Sequence, residues 1–371
     1  MEIIHIVLGK ANPERMNGVN KVVYQLATKQ AAFGEKVSVW GIANDIENNY
    51  SDRNFETLLF VKKTNPFGIP DEFETAIIKK KENVIFHIHG GWVPVFSSIG
   101  KLLNKYKLKF VFTPHGAYNT IAMNRSFWTK RLYFFLFEKK LLQYATKIHC
   151  IGKSELVGLK CIYKNRKSIL IPYGFENNVE VSFDSIQNQN IVFGFIGRLD
   201  IYTKGLDTLI RGFKELVKIH PNAQLWIVGD SNEKTKLENI VIQNKLSKNV
   251  TLFGGKFGIE KDNLLNKMDV FVHPSRNEGL PTSVIEAASY GKPCIVTDAT
   301  NIGDLITYYQ CGEAINNQDS KDLYKSMMKF VLIWKNQSAF TEIRQNATRM
   351  VKENFNWKKV IQEFNSKLYN A

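Results

Sequence analysis

The strongest constraint on this chain is a regular alternation of short apolar stretches with helical patterns. Parallel strands need a crossover segment between them, so alternation of this kind predicts a doubly wound, largely parallel sheet. In the first half, strands are predicted at residues 3–7, 37–42, 58–61, 84–89, 110–113, 147–151 and 168–171. Helices are predicted at residues 18–33, 96–106, 127–144 and 153–163.

A polar stretch at residues 176–190 interrupts the alternation, and a second series follows it. With 371 residues the chain is longer than one hydrophobic core usually serves. We therefore predict an α/β protein of two Rossmann-like domains that face one another across a cleft, with boundaries at residues 1–175 and 176–356. The strands of the second series are predicted at residues 191–195, 224–228, 250–253, 270–273 and 294–297.

Composition excludes several other classes of protein. No signal peptide is visible at the N-terminus, and no apolar run approaches the roughly 20 residues of a membrane-spanning helix. The cysteines lack the C-x-x-C spacing of a zinc site, which favours a reduced, cytoplasmic protein with buried thiols. They are Cys150, Cys161, Cys294 and Cys311.

Charge is distributed unevenly along the chain. Residues 1–175 hold 26 Lys and Arg against 13 Asp and Glu, whereas the remainder holds 24 against 22. The basic half predicts an acidic partner: a nucleic acid, an anionic membrane or a phosphorylated acceptor. Within it, residues 125–167 carry eleven basic and two acidic residues interleaved with aromatic ones.

This basic, aromatic segment favours peripheral contact with an anionic membrane. No nucleic-acid motif accompanies it, although nucleic-acid binding stays open as a rival, and a solvated basic face is the plainest alternative. The predicted membrane and acceptor patch consists of Arg125, Lys130, Arg131, Lys139 and Lys140.

Residues 270–298 form a predicted strand, loop, helix and second strand. Pro281 suits the first position of a helix over residues 281–290, which Gly291 would end. Free N–H groups at this positive helix end would bind a phosphate, and Glu278 and Glu286, eight residues apart, would serve hydroxyl groups beside it. Alternatively, Glu278 caps the helix and Glu286 is a solvated surface residue. The residues placed at the phosphate are Gly279, Leu280, Pro281 and Thr282.

Other polar residues follow predicted strands, at the sheet edge where ligands of α/β proteins bind. Arg198 and Lys204 flank the loop after strand 191–195 and would direct two cations into the cleft. Gly18 opens the first helix after a loop, and a simple turn is an equal alternative for it. Gly229 and Asp230 end strand 224–228.

Histidines also mark strand ends in the first half. His115 follows strand 110–113 in the sequence Pro-His-Gly, although a lone histidine there is usually structural. His87 and His89 point to one face of strand 84–89. A metal pair is conceivable at these two residues, but no carboxylate or cysteine stands nearby in sequence to complete it.

Taken together, these motifs resemble those of glycosyltransferase family 4. The segment PSRNEGLP at residues 274–281, continued by Glu286-Ala287-Ala288 and by Gly-Lys-Pro at residues 291–293, is similar to the E-x7-E signature of that family. The resemblance implies the GT-B fold and a retaining enzyme that uses a nucleotide-sugar donor. It also implies that the last helix, at residues 357–371, packs back on the first domain.

The resemblance also assigns roles to individual residues. His115 would contact the transferred sugar, Arg198 and Lys204 would stabilise the departing diphosphate, Glu278 would bind sugar hydroxyls and Glu286 the ribose. Gly229, Asp230 and the glycine-rich stretch 251–258 would lie on the nucleotide side. Gly18 matches only partly, because the family often carries paired glycines where this chain has Asn17-Gly18.

The expected activity is transfer of a hexose-type sugar to a lipid-linked glycan acceptor in surface polysaccharide biosynthesis. No D-x-D triplet occurs in the chain, so we expect no metal and no cofactor beyond the nucleotide-sugar co-substrate. We expect a cytoplasmic enzyme, peripheral on the inner face of the membrane, that binds no nucleic acid. A GT-B sugar synthase or phosphorylase, a nucleotide-sugar epimerase and a basic nucleic-acid-binding protein remain the alternatives.

Overall fold

The chain forms two compact units in a computed structural model. The structure describes residues 1–12, 18–47, 50, 52–80, 83–119, 123, 127–176, 181, 183 and 189–370. The first unit is Met1–Gly174 together with Trp357–Ala371, and the second is Phe175–Asn356. Most of the predicted linker at residues 176–190, and Arg125 of the basic patch, lie outside the described residues.

The N-terminal unit is built on one parallel sheet of seven strands in the order β3-β2-β1-β4-β5-β6-β7. The central strands are buried on both faces, as expected for a sheet covered by helices. The strands are β1 (Glu2–Leu8), β2 (Lys36–Ala43), β3 (Glu56–Val61), β4 (Val84–His89), β5 (Phe110–Thr113), β6 (Lys147–Cys150) and β7 (Ser168–Leu170).

Helices connect these strands, and the end of the chain adds one more. Pro94 occupies the first turn of α3, where its missing N–H costs no hydrogen bond. Tyr369 contacts Gln30 and His87, so the last helical segment belongs to the N-terminal unit. The helices are α1 (Gly18–Ala32), α2 (Asp71–Lys79), α3 (Pro94–Lys105), α4 (Phe127–Tyr133), a π-helical turn (Phe134–Glu138), α5 (Lys139–Tyr144), α6 (Lys153–Ile162), and, at the C-terminus, α14 (Trp357–Glu363) with a second π-helical turn (Phe364–Tyr369).

The C-terminal unit contains a second parallel sheet, of six strands in the order β10-β9-β8-β11-β12-β13. Its central strands are fully buried, and Phe193, Phe195, Phe213 and Phe271 are among the largest buried side chains. The strands are β8 (Val192–Ile196), β9 (Gln224–Val228), β10 (Val250–Gly254), β11 (Val270–His273), β12 (Cys294–Thr297) and β13 (Gly312–Ile315).

The helices of this unit cover both faces of its sheet. Asp319 caps α12, because its side chain accepts hydrogen bonds from the backbone N–H groups of Lys321 and Asp322. The helices are α7 (Leu206–Ile219), α8 (Lys234–Gln243), α9 (Gly258–Lys267), α10 (Thr282–Ser289), α11 (Gly303–Tyr308), α12 (Ser320–Trp334) and α13 (Gln337–Asn354), with a short 3-10 helix at Asp298–Thr300.

The predicted α/β class with two Rossmann-like parallel sheets is confirmed. Each sheet reverses its strand order beside its first strand, between β1 and β4 in one unit and between β8 and β11 in the other. Ligands of open α/β sheets bind at such points, beyond the carboxyl ends of the strands. The loops after β8 and β11 therefore carry the candidate site of the C-terminal unit.

The sequence prediction omitted one strand, β13, and one helix of the N-terminal unit, α2, and among the helices of the C-terminal unit it gave bounds for α10 alone. Strand β13 is a four-residue edge strand with only its last residue buried, so it lacks an apolar run. Helix α2 has an acidic first turn and buries only Phe73 and Ile77. Helix α10 also begins one residue later than predicted, because Pro281 has extended backbone angles and precedes the first helical residue.

Among the described residues, no helix combines the length and the apolarity needed to cross a bilayer. All four cysteines carry free thiols, and three of them are buried. Burial raises the pKa of the Cys311 thiol to about 12, so this group stays protonated and unreactive at neutral pH.

Candidate functional site

The loops after β8 and β11 are joined by a dense set of hydrogen bonds. Gly205 has a left-handed backbone with φ of +66°, and a Cβ atom there would lie 2.0 Å from the carbonyl oxygen of Pro274. The backbone N–H of Arg276 donates to the carbonyl oxygen of Thr203 at 2.8 Å. The Ser275 hydroxyl shares its one proton between the same oxygen, at 2.8 Å, and Glu278 Oε1, at 3.2 Å. The two loops therefore hold each other in place.

The buried side chain of Arg276 adds further hydrogen bonds at this junction between the loops after β8 and β11. Its guanidinium donates to both carboxylate oxygens of Asp207, at 2.7 and 2.9 Å, and to the carbonyl oxygen of Tyr202 at 2.6 Å. Such bidentate pairs fix geometry as well as adding stability. The sequence analysis did not select Arg276, although an arginine inside the E-x7-E segment was a visible signal.

Lys204 and Glu278 form an ion pair at the centre of the junction. The Lys204 ammonium donates to Glu278 Oε1, which also accepts hydrogen bonds from His273 Nε2 at 3.0 Å and the Ser275 hydroxyl at 3.2 Å. Burial alone would raise the pKa of Glu278, but the Lys204 charge and the His273 hydrogen bond outweigh it and lower that pKa to about 2. Glu278 is therefore ionised at neutral pH.

Asn301 supports the backbone that carries Glu278. Its side-chain amide donates to the carbonyl oxygens of Glu278, at 2.6 Å, and Gly279, at 2.9 Å. Its own backbone is left-handed, with φ of +61°, a conformation that asparagine tolerates better than most residues. The loop before α10 is thus held through its backbone by Asn301 and through the Glu278 carboxylate by Lys204 and His273.

The start of α10, four residues after Glu278, presents backbone donors. Its first N–H groups, at Thr282 and Ser283, have no carbonyl four residues earlier within the helix. Gly279, Leu280 and Ser283 are half-buried, Thr282 is exposed and Pro281 is buried. One turn further on, Glu286 forms an ion pair with Lys261, which also lies 3.3 Å from Asp262.

The remaining predicted donor residues lie at the ends of β8 and β9. The Arg198 guanidinium is largely exposed and lies 3.2 Å from the Asp200 carboxylate. Gly229 has φ of +153°, and a Cβ atom there would lie 1.8 Å from the carbonyl oxygen of Gly197. Asp230 is exposed, and its carboxylate accepts a hydrogen bond from the backbone N–H of Ser231. Arg198 and Lys204 are thus both paired with a carboxylate, but the Arg198 guanidinium is largely exposed whereas the Lys204 ammonium is largely buried.

In the N-terminal unit, His115 occupies a strained turn after β5. Its φ is +56°, and that of the following Gly116 is +81°. The Glu155 carboxylate accepts hydrogen bonds from the backbone N–H groups of Gly116, at 2.5 Å, and Ile151, at 3.2 Å. Burial raises the pKa of Glu155 to about 7 despite these bonds. Glu155 therefore positions the His115 turn.

A second buried carboxyl, Glu138, makes hydrogen bonds to Trp92, which follows β4, and to Tyr118, three residues after His115. Glu138 Oε1 accepts hydrogen bonds from the backbone N–H of Trp92, at 2.9 Å, and the Tyr118 hydroxyl, at 2.6 Å. Burial raises the pKa of Glu138 to about 7. Glu138 and Glu155 are the two acidic residues of the basic stretch 125–167, and that isolation was the signal that could have identified them.

Within the part of the chain that the structure describes, one group of side chains has metal-ligand spacing. His5, His87 and His89 are buried, with ligand nitrogens within 4.8 Å of one another. The sequence analysis found the pair on β4 but missed His5, which lies opposite His87 in the pairing of β1 with β4.

The other predicted residues of the N-terminal unit lie at its surface. Gly18 is exposed at the start of α1, and a Cβ atom there would meet no atom within 4 Å. Of the basic patch, Arg131 and Lys140 are exposed and Lys130 and Lys139 half-buried. Lys130 Nζ lies 5.9 Å from the centre of the Trp92 ring.

Family models match both units of the chain. The model described as "Glycosyl transferases group 1" matches residues 180–348, which include both loops of the candidate site. The model described as "Glycosyltransferase Family 4" matches residues 16–176. This chain belongs to glycosyltransferase family 4. The predicted family and enzyme class, a glycosyltransferase, are thereby confirmed.

Individual relatives agree with this assignment. The glycosyltransferase is 27% identical over 279 residues to an uncharacterized glycosyltransferase of Methanocaldococcus jannaschii, a match that covers 74% of this chain and 72% of the relative. It is 25% identical over 255 residues to the capsular polysaccharide biosynthesis glycosyltransferase CapM of Staphylococcus aureus, covering 64% of each protein.

Solved structures confirm the predicted GT-B fold. The glycosyltransferase matches Anabaena HepE in its complex with UDP-glucose with a TM-score of 0.77 at 14% identity, and the match covers 100% of both chains. The fold is therefore shared at full length although little of the sequence is.

Proposed function

We propose that this glycosyltransferase transfers a hexose-type sugar, with retention of configuration and without a metal ion, from a nucleoside-diphosphate donor to a lipid-linked glycan in surface polysaccharide biosynthesis. The observation that carries the proposal is the Lys204–Glu278 ion pair held between two tightly joined loops at the N-terminus of α10. A cation, helix N–H groups and an ionised carboxylate lie together there.

The diphosphate is the ligand that these groups suit best. Lys204 is preorganised by its partner, and the positive end of the α10 dipole adds N–H donors to the same place. A phosphate oxygen would compete with Glu278 for the Lys204 ammonium, which frees the carboxylate to accept sugar hydroxyls. Arg198, exposed on the same loop, is available to the outer phosphate.

The rest of the nucleotide would extend along the sheet edge. Glu286 lies four residues into α10 and would accept hydrogen bonds from ribose hydroxyls, exchanging them for its contact with Lys261. At Gly229 a side chain would collide with the carbonyl oxygen of Gly197, so the end of β9 requires a residue without a side chain. A flat base could approach the backbone there, with Asp230 beside it.

A metal-independent mechanism fits the charges on this loop. The sequence lacks a D-x-D triplet, and among the described residues the group with metal-ligand spacing lies in the N-terminal unit, on β1 and β4. Positive charge for the leaving diphosphate would come from Lys204, Arg198 and α10. Preorganised donors of this kind are each worth about 10²–10³ in rate.

The donor and pathway are proposed by analogy with relatives. HepE has been solved with UDP-glucose, and CapM is named for capsular polysaccharide biosynthesis. A uridine donor and a surface glycan product are therefore the first candidates for this chain. His115 is proposed to contact the transferred sugar.

Membrane contact would involve an exposed stripe on α4 and the π-helical turn that follows. Trp128, Leu132, Phe135 and Leu136 are 79%, 63%, 69% and 49% exposed, at spacings that place them on one helix face. Basic residues flank this stripe at positions 130, 131, 139 and 140. An apolar stripe bordered by cations suits an anionic bilayer surface, where each basic residue adds about 1 kcal/mol.

Nucleotide binding is tested by calorimetric titration of UDP, GDP, ADP and dTDP in the presence of EDTA. We expect one of them to bind without metal, and binding to weaken at least tenfold in Lys204→Ala. Lys218→Ala is the matched control, because Lys218 pairs with Glu215 on the exposed face of α7 and should leave binding unchanged. Binding that appears only after addition of Mn²⁺ would refute the metal-independent mechanism.

Membrane contact is tested by sedimentation with vesicles of anionic or zwitterionic lipid. The wild-type chain should sediment with the anionic vesicles only. Trp128→Ser combined with Phe135→Ser should abolish this, whereas Ile242→Ser, at an equally exposed apolar residue of α8, should not. Equal binding to both lipids, or to neither, would contradict the proposal.

A further inference from the structure

A chain of buried histidines extends from His115 across the sheet of the N-terminal unit. Strand pairing places His5 opposite His87, and the two-residue period of β4 puts His87 and His89 on one face. Side chains from α1, β5 and the C-terminal π-helical turn fill the gaps between the rings. The members, here called the histidine chain, are His149, Thr113, His87, Tyr369, Gln30, His5, His89 and His115.

Each imidazole in this chain is neutral at physiological pH. Burial lowers the pKa of His5 and of His149 to about 4 and that of His115 to about 3, and it also lowers the pKa values of His87 and His89. A neutral imidazole has one N–H donor and one lone-pair acceptor. The direction of each hydrogen bond can therefore be worked out from its neighbours.

The direction is set at one end by a backbone carbonyl. His149 Nε2 lies 2.7 Å from the carbonyl oxygen of Ile171, which can only accept, so the proton of His149 is on Nε2. His149 Nδ1 must then accept from the Thr113 hydroxyl at 2.9 Å. With its proton used, Thr113 Oγ1 accepts from His87 Nε2 at 2.6 Å.

The same reasoning continues through the helices. His87 Nδ1 carries the lone pair and accepts from the Tyr369 hydroxyl at 2.9 Å. The Tyr369 oxygen accepts from the Gln30 amide nitrogen at 3.3 Å, which orients the amide. Gln30 Oε1 then accepts from His5 Nε2 at 2.7 Å.

The last two hydrogen bonds reach His115. His5 Nδ1 accepts from His89 Nε2 at 2.9 Å, and His89 Nδ1 accepts from His115 Nε2 at 3.0 Å. All eight hydrogen bonds run in one direction, and all five rings carry their proton on Nε2. With the Ile171 carbonyl as an acceptor and every ring neutral, no other assignment forms all eight of these hydrogen bonds.

We propose that the histidine chain is a positioning device that holds His115 as the Nε2–H tautomer, so that its Nδ1 is presented as an acceptor to a hydroxyl group of the substrate. That the hydroxyl belongs to a sugar rests on the proposed function, whereas the tautomer does not. His89, which accepts the hydrogen bond of His115 directly, becomes a positioning residue. Thr113, Tyr369, Gln30 and His5 become positioning residues that reach His115 through other members. Cooperative hydrogen bonds of one direction strengthen each other.

The chain also accounts for the cluster with metal-ligand spacing. Both ring nitrogens of His5, His87 and His89 already take part in hydrogen bonds. A metal ion would have to displace several of these bonds and protons. The geometry therefore favours a hydrogen-bonded network over a metal site at these three rings.

The decisive test is nitrogen-15 NMR of histidine-labelled full-length protein at neutral pH, which distinguishes the two ring nitrogens of each imidazole. We expect all five rings to be neutral Nε2–H tautomers, with His220, which lies outside the chain, as the reference. A single Nδ1–H tautomer or imidazolium among the five, or a stoichiometric metal ion in the purified protein, would overturn the proposal.

Tyr369→Phe tests the link between distant members and His115. Removing this hydroxyl leaves His87 and Gln30 without a shared partner, so His5, His89 and His115 should show mixed tautomers. With the donor identified, kcat should fall about fivefold with KM nearly unchanged, because the hydrogen bond that His115 Nδ1 would accept from the substrate is worth about 1 kcal/mol and is weakened by the wrong tautomer. Tyr106→Phe, whose hydroxyl donates to Glu74, is the matched control.

The two possible failures of this test are distinguishable. If the rings of Tyr369→Phe keep the wild-type tautomers, the positioning role is wrong even when the enzyme transfers sugars. If the tautomers shift as expected but no nucleotide sugar is used, the hydrogen-bond chain stands and the proposed function fails.

Discussion

Replacing Glu278 with glutamine should destabilise the C-terminal unit strongly at neutral pH. The carboxylate accepts hydrogen bonds from Lys204, His273 and Ser275 through one oxygen. Its pKa is lowered from the usual 4.5 to about 2. At 1.36 kcal/mol for each pH unit between the folded and unfolded values, its ionisation stabilises the unit by about 3 kcal/mol.

The sign of this effect predicts its pH dependence. Because the folded pKa lies below the unfolded one, the stabilisation is complete above about pH 4.5 and is lost as the pH falls towards 2. Glutamine carries no ionisable group, so the stability of Glu278→Gln lacks this dependence. The difference between wild type and Glu278→Gln should therefore be largest at pH 6–7 and shrink below about pH 4.5.

The assay is hydrogen–deuterium exchange in increasing urea, read on peptides from residues 189–356 so that only the C-terminal unit is followed. Glu215→Gln is the matched control, because its exposed pair with Lys218 is worth at most about 0.5 kcal/mol. A difference below 1 kcal/mol at pH 7, or one that stays constant down to pH 3, would refute the reasoning.

Three further substitutions probe other parts of the account. Gly205→Ala should destabilise the C-terminal unit by several kcal/mol and abolish nucleotide binding, since its Cβ would lie 2.0 Å from the Pro274 oxygen, and a normal thermal melt would contradict this. Gly18→Ala has open space, so its melting temperature should match wild type, and a loss of activity alone would place Gly18 beside the substrate. Glu155→Gln should lower kcat about tenfold, because an amide offers one acceptor where the carboxylate offers two to the Gly116 turn; unchanged kcat would exclude that role.

The fold was largely predictable because parallel α/β sheets have a strong local signature. Central strands such as Val270–His273 and Val84–His89 are short, mostly apolar runs with helices between them, and the structure places them as predicted. The edge strand Gly312–Ile315 was not predicted, because an edge strand pairs with a neighbouring strand on one side only and needs no apolar run.

Site residues were predictable where a motif brought them together in sequence. Glu278 was predicted from the E-x7-E segment in which it lies, and Lys204 from the loop after β8. Their ion pair was not predicted, because 74 residues separate them and the family resemblance assigns the two charges to separate ligands. Pairing between remote loops depends on tertiary geometry that no local pattern contains.

The histidine chain shows the same limit more strongly. His115 was selected from its Pro-His-Gly turn, but its tautomer is set by residues as distant as Tyr369 at the other end of the sequence. His5 and Gln30 look like ordinary residues of an apolar strand and a helix. Only the register of β1 with β4 and the docking of the last helix bring them into one network.

The central claim is that the loops after β8 and β11 bind a nucleotide sugar and release its diphosphate without a metal ion. The most direct measurement is nucleoside-diphosphate release from a panel of UDP-, GDP-, ADP- and dTDP-sugars in EDTA, comparing wild type with Lys204→Met. The account predicts turnover of one donor class by wild type and a kcat lower by about 10²–10³ in Lys204→Met. Absence of release from every donor, or release that requires Mn²⁺ and is unaffected by Lys204→Met, would contradict it.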